Sequence, residues 1–262
     1  MDGTSALTIT FLGTGTSHGV PMIGCDCDVC HSCDPRDKRT RTAIAVRTAA
    51  TAFAIDTPPD FRTQVLREGI THLDAVVFTH SHTDHIMGFD DLRRFSEGGS
   101  IPIHADLTTL TDLKRVFQFA FTLTHNWPGY VRPDPHEITG PFTIGDVTLI
   151  PTTLPHGHFD VTGFVLSVSG RKLAAYFTDC NDVPPAAMDA ARDVPVLIID
   201  ALRRREHPTH LTVDRATEIA REMGAAQTYF THLSHDLAHA ETVASLPPGV
   251  TLAHDGLTIS IP

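Results

Sequence analysis

Apolar residues in this chain fall into short runs of two kinds. Leu7-Thr8-Ile9-Thr10-Phe11-Leu12 alternates apolar and polar positions, as a strand with one buried face does. Leu73-Asp74-Ala75-Val76-Val77-Phe78 and Val196-Leu197-Ile198-Ile199-Asp200 are nearly continuous apolar runs rich in β-branched residues, the pattern of strands covered on both faces. Thr42 to Arg47 and Thr51 to Asp56 read as two paired strands. Further strands are expected near Phe164 to Val168, Lys172 to Phe177 and Thr228 to Thr231. Phe142 to Ile150 reads as a hairpin turning at Gly145-Asp146, and Val250 to Ile261 as a closing hairpin around Asp255-Gly256.

Helical spacing appears between these runs. Pro59 to Gly69 has proline at its start and glycine at its end, and Val213 to Met223 is closed by Gly224. Gly88 to Glu97 and Ala105 to Phe119 also read as helices. Strands precede helices in both halves and no low-complexity linker divides the chain. The expected class is therefore α/β, a sandwich of two similar layers forming one domain over residues 1–262.

Composition narrows the function classes. The 262 residues are 41% hydrophobic and 19% charged, which describes an ordinary globular protein. A formal net charge of −11 argues against general nucleic-acid binding through broad phosphate attraction, although divalent cations would still admit an anionic substrate. Met1 to Ala6 lacks the pattern of a secretory leader, and no apolar run reaches the about 18 residues a membrane span needs, so cytoplasm is the expected compartment. Five cysteines, three within Cys25-Asp26-Cys27-Asp28-Val29-Cys30, fit a reduced protein with a metal site better than a disulfide scaffold.

The strongest chemical signal is Thr79-His80-Ser81-His82-Thr83-Asp84-His85, directly after an apolar strand. His80 and His82, two residues apart on an extended arm, suit one ion; Asp84 and His85 suit a second. His156, Asp179 and His232 each follow a different expected strand and are candidates to complete the set. The Cys25, Cys27 and Cys30 thiolates suit tetrahedral zinc with a fourth ligand from elsewhere; on spacing alone His31, Cys33 and His239 compete for that place. Cys180 reads as a buried apolar filler. The Gly13-Thr14-Gly15-Thr16-Ser17 loop lacks the lysine of a phosphate-binding loop and reads as a tight turn. Arg203, Arg204 and Arg205 read either as a phosphate grip or as a solvated face.

The H-x-H-x-D-H run with isolated later His, Asp and His resembles the metallo-β-lactamase superfamily over essentially the whole chain. That resemblance implies a four-layer αβ/βα sandwich with metals at one edge. It assigns His80, His82 and His156 to one ion, Asp84, His85 and His232 to the other, and Asp179 as bridge. His254 is the rival for the place of His232. The C-x-C-x-x-C run, Asp34-Pro35-Arg36-Asp37-Lys38-Arg39 and Thr231-His232-Leu233-Ser234-His235 are similar to the phosphoribosyl cyclic phosphate phosphodiesterases of the bacterial phosphonate (carbon–phosphorus lyase) pathway. This narrower resemblance implies a structural zinc held by Cys25, Cys27, Cys30 and His235, stapling an N-terminal flap over about residues 18–41.

The implied reaction is hydrolysis of a small cyclic phosphodiester, phosphoribosyl 1,2-cyclic phosphate or a 2′,3′-cyclic nucleotide. Two divalent ions, Mn or Zn, would share a hydroxide that attacks phosphorus in line. Asp84, Asp179 and His210 carry the catalytic roles, with His210 as proton donor to the leaving oxygen and His207 its local rival. A small anionic phosphodiester is the expected partner, nucleic acid and membrane are not, and the resemblance suggests a homodimer. The alternatives are a tRNA 3′-processing-type nuclease, a non-hydrolytic relative like the pyrroloquinoline quinone biosynthesis protein, and a zinc-binding module without catalysis. Pro58 and His254 depart from the family's usual residues, glycine and an aromatic respectively.

Overall fold

The computed structural model describes residues 7–122 and 129–262, which leaves the Met1 to Ala6 reading outside the described residues. Two seven-stranded sheets face each other. The first runs β14 (Thr258–Ile261), β1 (Leu7–Gly13), β2 (Ala43–Arg47), β3 (Ala52–Ile55), β4 (Ala75–Val77), β5 (Ile101–Ala105), β6 (Pro133–Glu137). The second runs β13 (Val250–Leu252), β12 (Gln227–Thr231), β11 (Val196–Asp200), β10 (Arg171–Phe177), β9 (Phe159–Val168), β8 (Val147–His156), β7 (Phe142–Ile144). Each sheet is antiparallel on one side and parallel on the other: β3 to β6 are parallel, as are β10 to β13.

The period of two along each strand sorts side chains between layers. Val196 and Ile198 of β11 point into the core between the sheets, whereas Leu197 and Ile199 point to the outer core under the Val213–Met223 helix. Ala75 and Val77 of β4 likewise join the inner core, and Val76 the outer core beneath the Phe61–Arg67 and Leu107–Val116 helices. Helices thus cover both outer faces, the four-layer sandwich expected from the sequence. No helix among the described residues is long and apolar enough to cross a membrane.

Most expected elements are present, with four corrections. Val250 to Ile261 is not a hairpin: β13 pairs in parallel with β12 in the second sheet, and β14 pairs antiparallel with β1 in the first. Gly256 does adopt a left-handed turn at φ 83°. However, the buried Asp255 carboxylate accepts from Thr14 and Thr40 backbone and side chain, and Gly256 N–H donates to Phe11 O, so the turn carries the chain across the sandwich. Gly88 to Glu97 forms a 3₁₀ helix, Phe89–Arg94. Ala105 ends a strand, and the helix begins after Asp106, whose carboxylate caps Thr109 N–H. β5 and β6 have little apolar alternation and were not read from the sequence.

The Gly13 to Ser17 loop is a close crossing of backbones. A Cβ at Gly13 would lie 2.0 Å from Arg41 O, and Gly15 N–H donates to Thr40 O at 2.8 Å. Thr16 N–H donates to Leu233 O, so this loop joins the first sheet to the end of β12.

One titrating contact spans the two sheets. The His104 ring of β5 stacks on Phe142 of β7 at 4.7 Å and on His136 of β6 at 4.9 Å. Burial, with help from His136, lowers its pKa to about 4. The unfolded chain, with an ordinary histidine near 6.5, takes up the proton first. The stability that this stack contributes is full above pH about 6.5 and is lost as pH falls toward 4. The melting temperature should therefore fall between pH 7 and pH 5, and fall less in His104→Phe, which keeps the stack without a titrating ring. An equal fall in both proteins, measured by calorimetry, would contradict this account.

Candidate metal centre

The site lies where strands end at one edge of the sandwich, the edge that open parallel sheets offer to ligands. Beyond β4, His80 stands on an extended segment and His82 precedes the one-turn helix Thr83–Ile86, which presents Asp84 and His85. Asp56 follows β3, Asp179 follows β10 and His232 follows β12. All three occupy left-handed backbone, at φ 68°, 53° and 58°. Non-glycine residues there cost about 1–3 kcal/mol each and persist where the surroundings hold them, as at functional sites. His156 is the last residue of β8 and Asp200 the last of β11.

Two groups of ligand-capable atoms contain the expected ligands, and His210 lies within 4.8 Å of the ligand atoms of His156 and Asp179. His80, His82 and His156 converge in one; Asp84, His85, Asp179 and His232 converge in the other, each within 4.8 Å. Asp179 reaches both: its Oδ2 lies 3.9 Å from His80 Nε2 and 3.2 Å from His232 Nε2, and its Oδ1 lies 3.3 Å from His85 Nε2. Asp84 Oδ2 stands 3.5 Å from His85 Nε2 and 3.7 Å from His232 Nε2.

Outer partners orient the imidazoles. His85 Nδ1 donates to Asp56 Oδ2 at 2.8 Å, and His156 Nδ1 donates to Thr209 O at 2.8 Å. Thr79 Oγ1 donates to Asp56 Oδ2, so it is left to accept from His80 Nδ1 at 3.0 Å. With these Nδ1 atoms protonated, the Nε2 lone pairs face inward, the form a metal ligand requires. The buried Nε2 atoms of His80, His85 and His232 have no hydrogen-bond partner. Burial lowers the pKa of His80 and takes His156 to about 4, keeping both neutral. At His85 burial opposes protonation, but the carboxylates of Asp179, Asp84 and Asp56 outweigh it and raise the pKa well above the ordinary value. Unpartnered imidazole nitrogens around buried carboxylates fit divalent cations.

Beside this centre, His210 Nδ1 and Asp200 Oδ2 share a 2.6 Å hydrogen bond, and the His210 ring stacks on His232 at 4.6 Å. His210 also lines a cleft of about 580 Å³ with Asn181, His207 and Arg215. His207 lies 5.1 Å from His210, with its Nδ1 taken by Thr209 N–H. Arg204 and Arg205 turn outward to Ser245 and Asp236 and do not join the ligand groups.

The flap forms a second centre. Cys25, Cys27, Cys30 and His235 bring their ligand atoms within 4.8 Å of one another, with Cys25 Sγ and Cys27 Sγ at 3.2 and 3.3 Å from His235 Nδ1. The Cys30 N–H and the His235 contact lower the Cys27 thiol to about 6, while burial pushes Cys30 up to about 11. The rivals lie elsewhere: His31 pairs with exposed Asp26, Cys33 is exposed, and His239 is buried 5.8 Å from His254. His254 therefore stands with His239 rather than in the group that holds His232. Cys180 is fully buried, with its thiol pKa raised by that burial.

Sequence reading missed the residues that orient others. Asp56 and Asp200 each end an apolar strand, which is the signal that marked Asp179's neighbourhood, but neither belongs to a recognisable spacing. Arg39 stands in the Asp34 to Arg39 run that carried the narrower resemblance, but no role was read for it. Its buried guanidinium donates to Ser234 O and Leu237 O, and to Asp37 Oδ1, which also accepts from His239 N–H.

The beta-lactamase superfamily domain matches residues 51–233. A crystal structure described as a new diphosphatase from the PhnP family is 42% identical, covers 97% of each chain and has a TM-score of 0.89. Zn(2+)-bound PqqB from Methylobacterium extorquens shares the fold at 18% identity, TM-score 0.76, covering 96% of this chain and 99% of that one. The octanoyltransferase of Porphyromonas gingivalis (strain ATCC BAA-308 / W83) is 36% identical over 94% of this chain, which spans only 50% of that protein's length.

The two centres should separate by mutation. Asp56→Asn removes the acceptor of His85 and should weaken metal binding at the His/Asp centre roughly 10–100-fold, as loss of outer partners does, while zinc at the thiolates is retained. His235→Ala should do the reverse. Elemental analysis after dialysis reads both, and loss of all metal in either variant would contradict two separate centres.

Proposed function

The chain belongs to the PhnP family of the beta-lactamase superfamily, and from that premise we propose that it is a metal-dependent hydrolase cleaving a small cyclic phosphodiester, phosphoribosyl 1,2-cyclic phosphate or a 2′,3′-cyclic nucleotide. The observation that carries this reading is Asp179 shared between two ligand groups, with the His210–Asp200 pair beside them. In this reading His80, His82 and His156 would hold one divalent ion and Asp84, His85 and His232 the other, with Asp179 within reach of both. Manganese and zinc each suit such donors, and a third ion, structural zinc, belongs to the thiolates and His235. When bound, the paired cations acidify water and neutralise charge on phosphoryl oxygens.

The chain's own residues supply the rest. An alkoxide leaves poorly, so cleavage of an ester needs a proton at the leaving oxygen. His210 has Nδ1 engaged by Asp200, and its other nitrogen is the one available to hold that proton at the cleft. Burial lowers the pKa of His210, which eases proton release. A cleft of about 580 Å³ suits a nucleotide-sized group, and the net charge of −11 disfavours a long RNA partner. A small anionic substrate and a homodimer in the cytoplasm complete the proposal.

A second reading has one observation in its favour: the 42% identical structure is described as a diphosphatase. Hydrolysis of a phosphoanhydride would use the same cations, but its phosphate leaving group needs less help from an acid. His210→Ala, with metal retained, should lower kcat on 2′,3′-cyclic AMP by roughly 10²–10⁴ and affect a nucleoside diphosphate much less. Absence of turnover of every cyclic phosphodiester by manganese- or zinc-loaded protein would sink the first reading. Turnover of the diphosphate alone would favour the second.

A further inference from the structure

Phe159 stands out among residues near the metal centre. It is 65% exposed, and its ring lies 5.8 Å from the ring of His82, perpendicular to it. An isolated exposed apolar side chain is ordinary; this one is presented on a tethered turn. It sits just past the tip joining β8 to β9, where Gly157 takes φ 68°. Gly157 N–H donates to Asn181 Oδ1 at 2.9 Å, and His156 Nδ1 donates to Thr209 O at 2.8 Å. A Cβ on Gly157 would meet Thr209 Cγ2 at 2.6 Å, so the tip packs closely on that loop. The tip also borders two recesses: Asn181 lines the 580 Å³ cleft, and Asp160, next to Phe159, lines a groove of about 460 Å³.

An exposed aromatic face on a tethered turn, beside a candidate ligand histidine, is a platform for another flat ring. We infer that Phe159 stacks on the base of a nucleoside phosphate whose phosphoryl group sits between the two ligand groups, making the substrate a base-bearing phosphodiester rather than a bare sugar phosphate. This rests on the reading of the site as a phosphodiester hydrolase, and it adds the substrate class. Stacking requires only a π face, so Phe159 selects for a base without selecting which base. His82, itself exposed, lies at the base of the same ring contact, which sets the phosphoryl end of the substrate within one sugar's reach of the platform.

The test reads binding as well as turnover. Calorimetry on metal-loaded protein compares adenosine 2′-monophosphate with ribose 5-phosphate. The nucleotide should bind about 5- to 100-fold more tightly, the range a stacked base contributes. The gap should collapse in Phe159→Ala and be kept in Phe159→Trp. Equal affinities in the unmodified protein, or a gap that survives Phe159→Ala, would overturn the inference. Turnover of 2′,3′-cyclic AMP in parallel separates the two claims. A base-dependent gap without turnover leaves the platform standing and removes the hydrolytic reading, whereas turnover without the gap does the opposite.

Discussion

The buried carboxylate of Asp179 is the point on which the rest of the site turns. Burial opposes its ionisation, yet the neighbouring imidazoles of His232, His85 and His80 hold its pKa well below the usual carboxylate range. Such an arrangement is stable only if several strand ends deliver complementary groups to one place, because an unpaired buried charge is among the costliest features a fold can carry. The parallel halves of both sheets supply those ends. β3, β4, β10, β11 and β12 all finish at this edge, and Asp56, Asp179 and His232 take left-handed backbone there. Local strain is concentrated where the chain must turn its side chains inward.

The flap is tied to the same segment that carries His232. Leu233 N–H donates to Thr14 O, and Thr16 N–H donates back to Leu233 O. Two residues on, His235 meets the thiols of Cys25 and Cys27, and Arg39 grips Ser234 O and Leu237 O. Arg39 is 2% exposed, and its charge is answered by Asp37 and by backbone carbonyls rather than by water. The thiolate centre and the buried arginine therefore act on one short stretch of backbone, and His232 lies at its start. The candidate metal centre is in this way tied to residues far earlier in the chain.

Much of this could be read from residue patterns. The apolar run of β11 and the capped Val213–Met223 helix were legible because burial on two faces, or on one helical stripe, leaves a periodic trace. The His80 to His85 cluster was legible because four donors fall within one short segment. The closing hairpin was misread because Asp255-Gly256 has the chemistry of a two-residue turn, while the partners of Asp255, Thr14 and Thr40, lie more than two hundred residues away. β5 and β6 escaped notice because Pro102, His104, Pro133, Pro135 and His136 break the apolar pattern, and only neighbouring strands make them a sheet.

What the sequence determined alone was the chemistry available: which side chains could bind cations or carry a proton, and which segments had to be buried. Tertiary structure decided which of the many histidines meet. His232 rather than His254 joins Asp179, His235 rather than His31 or His239 joins the thiols, and Asp200 rather than any neighbour in the chain holds His210. The physical reason is that metal sites and hydrogen-bonded pairs depend on distances of a few ångströms. Those distances are set by strand pairing and sheet packing, and they leave no mark on local sequence spacing.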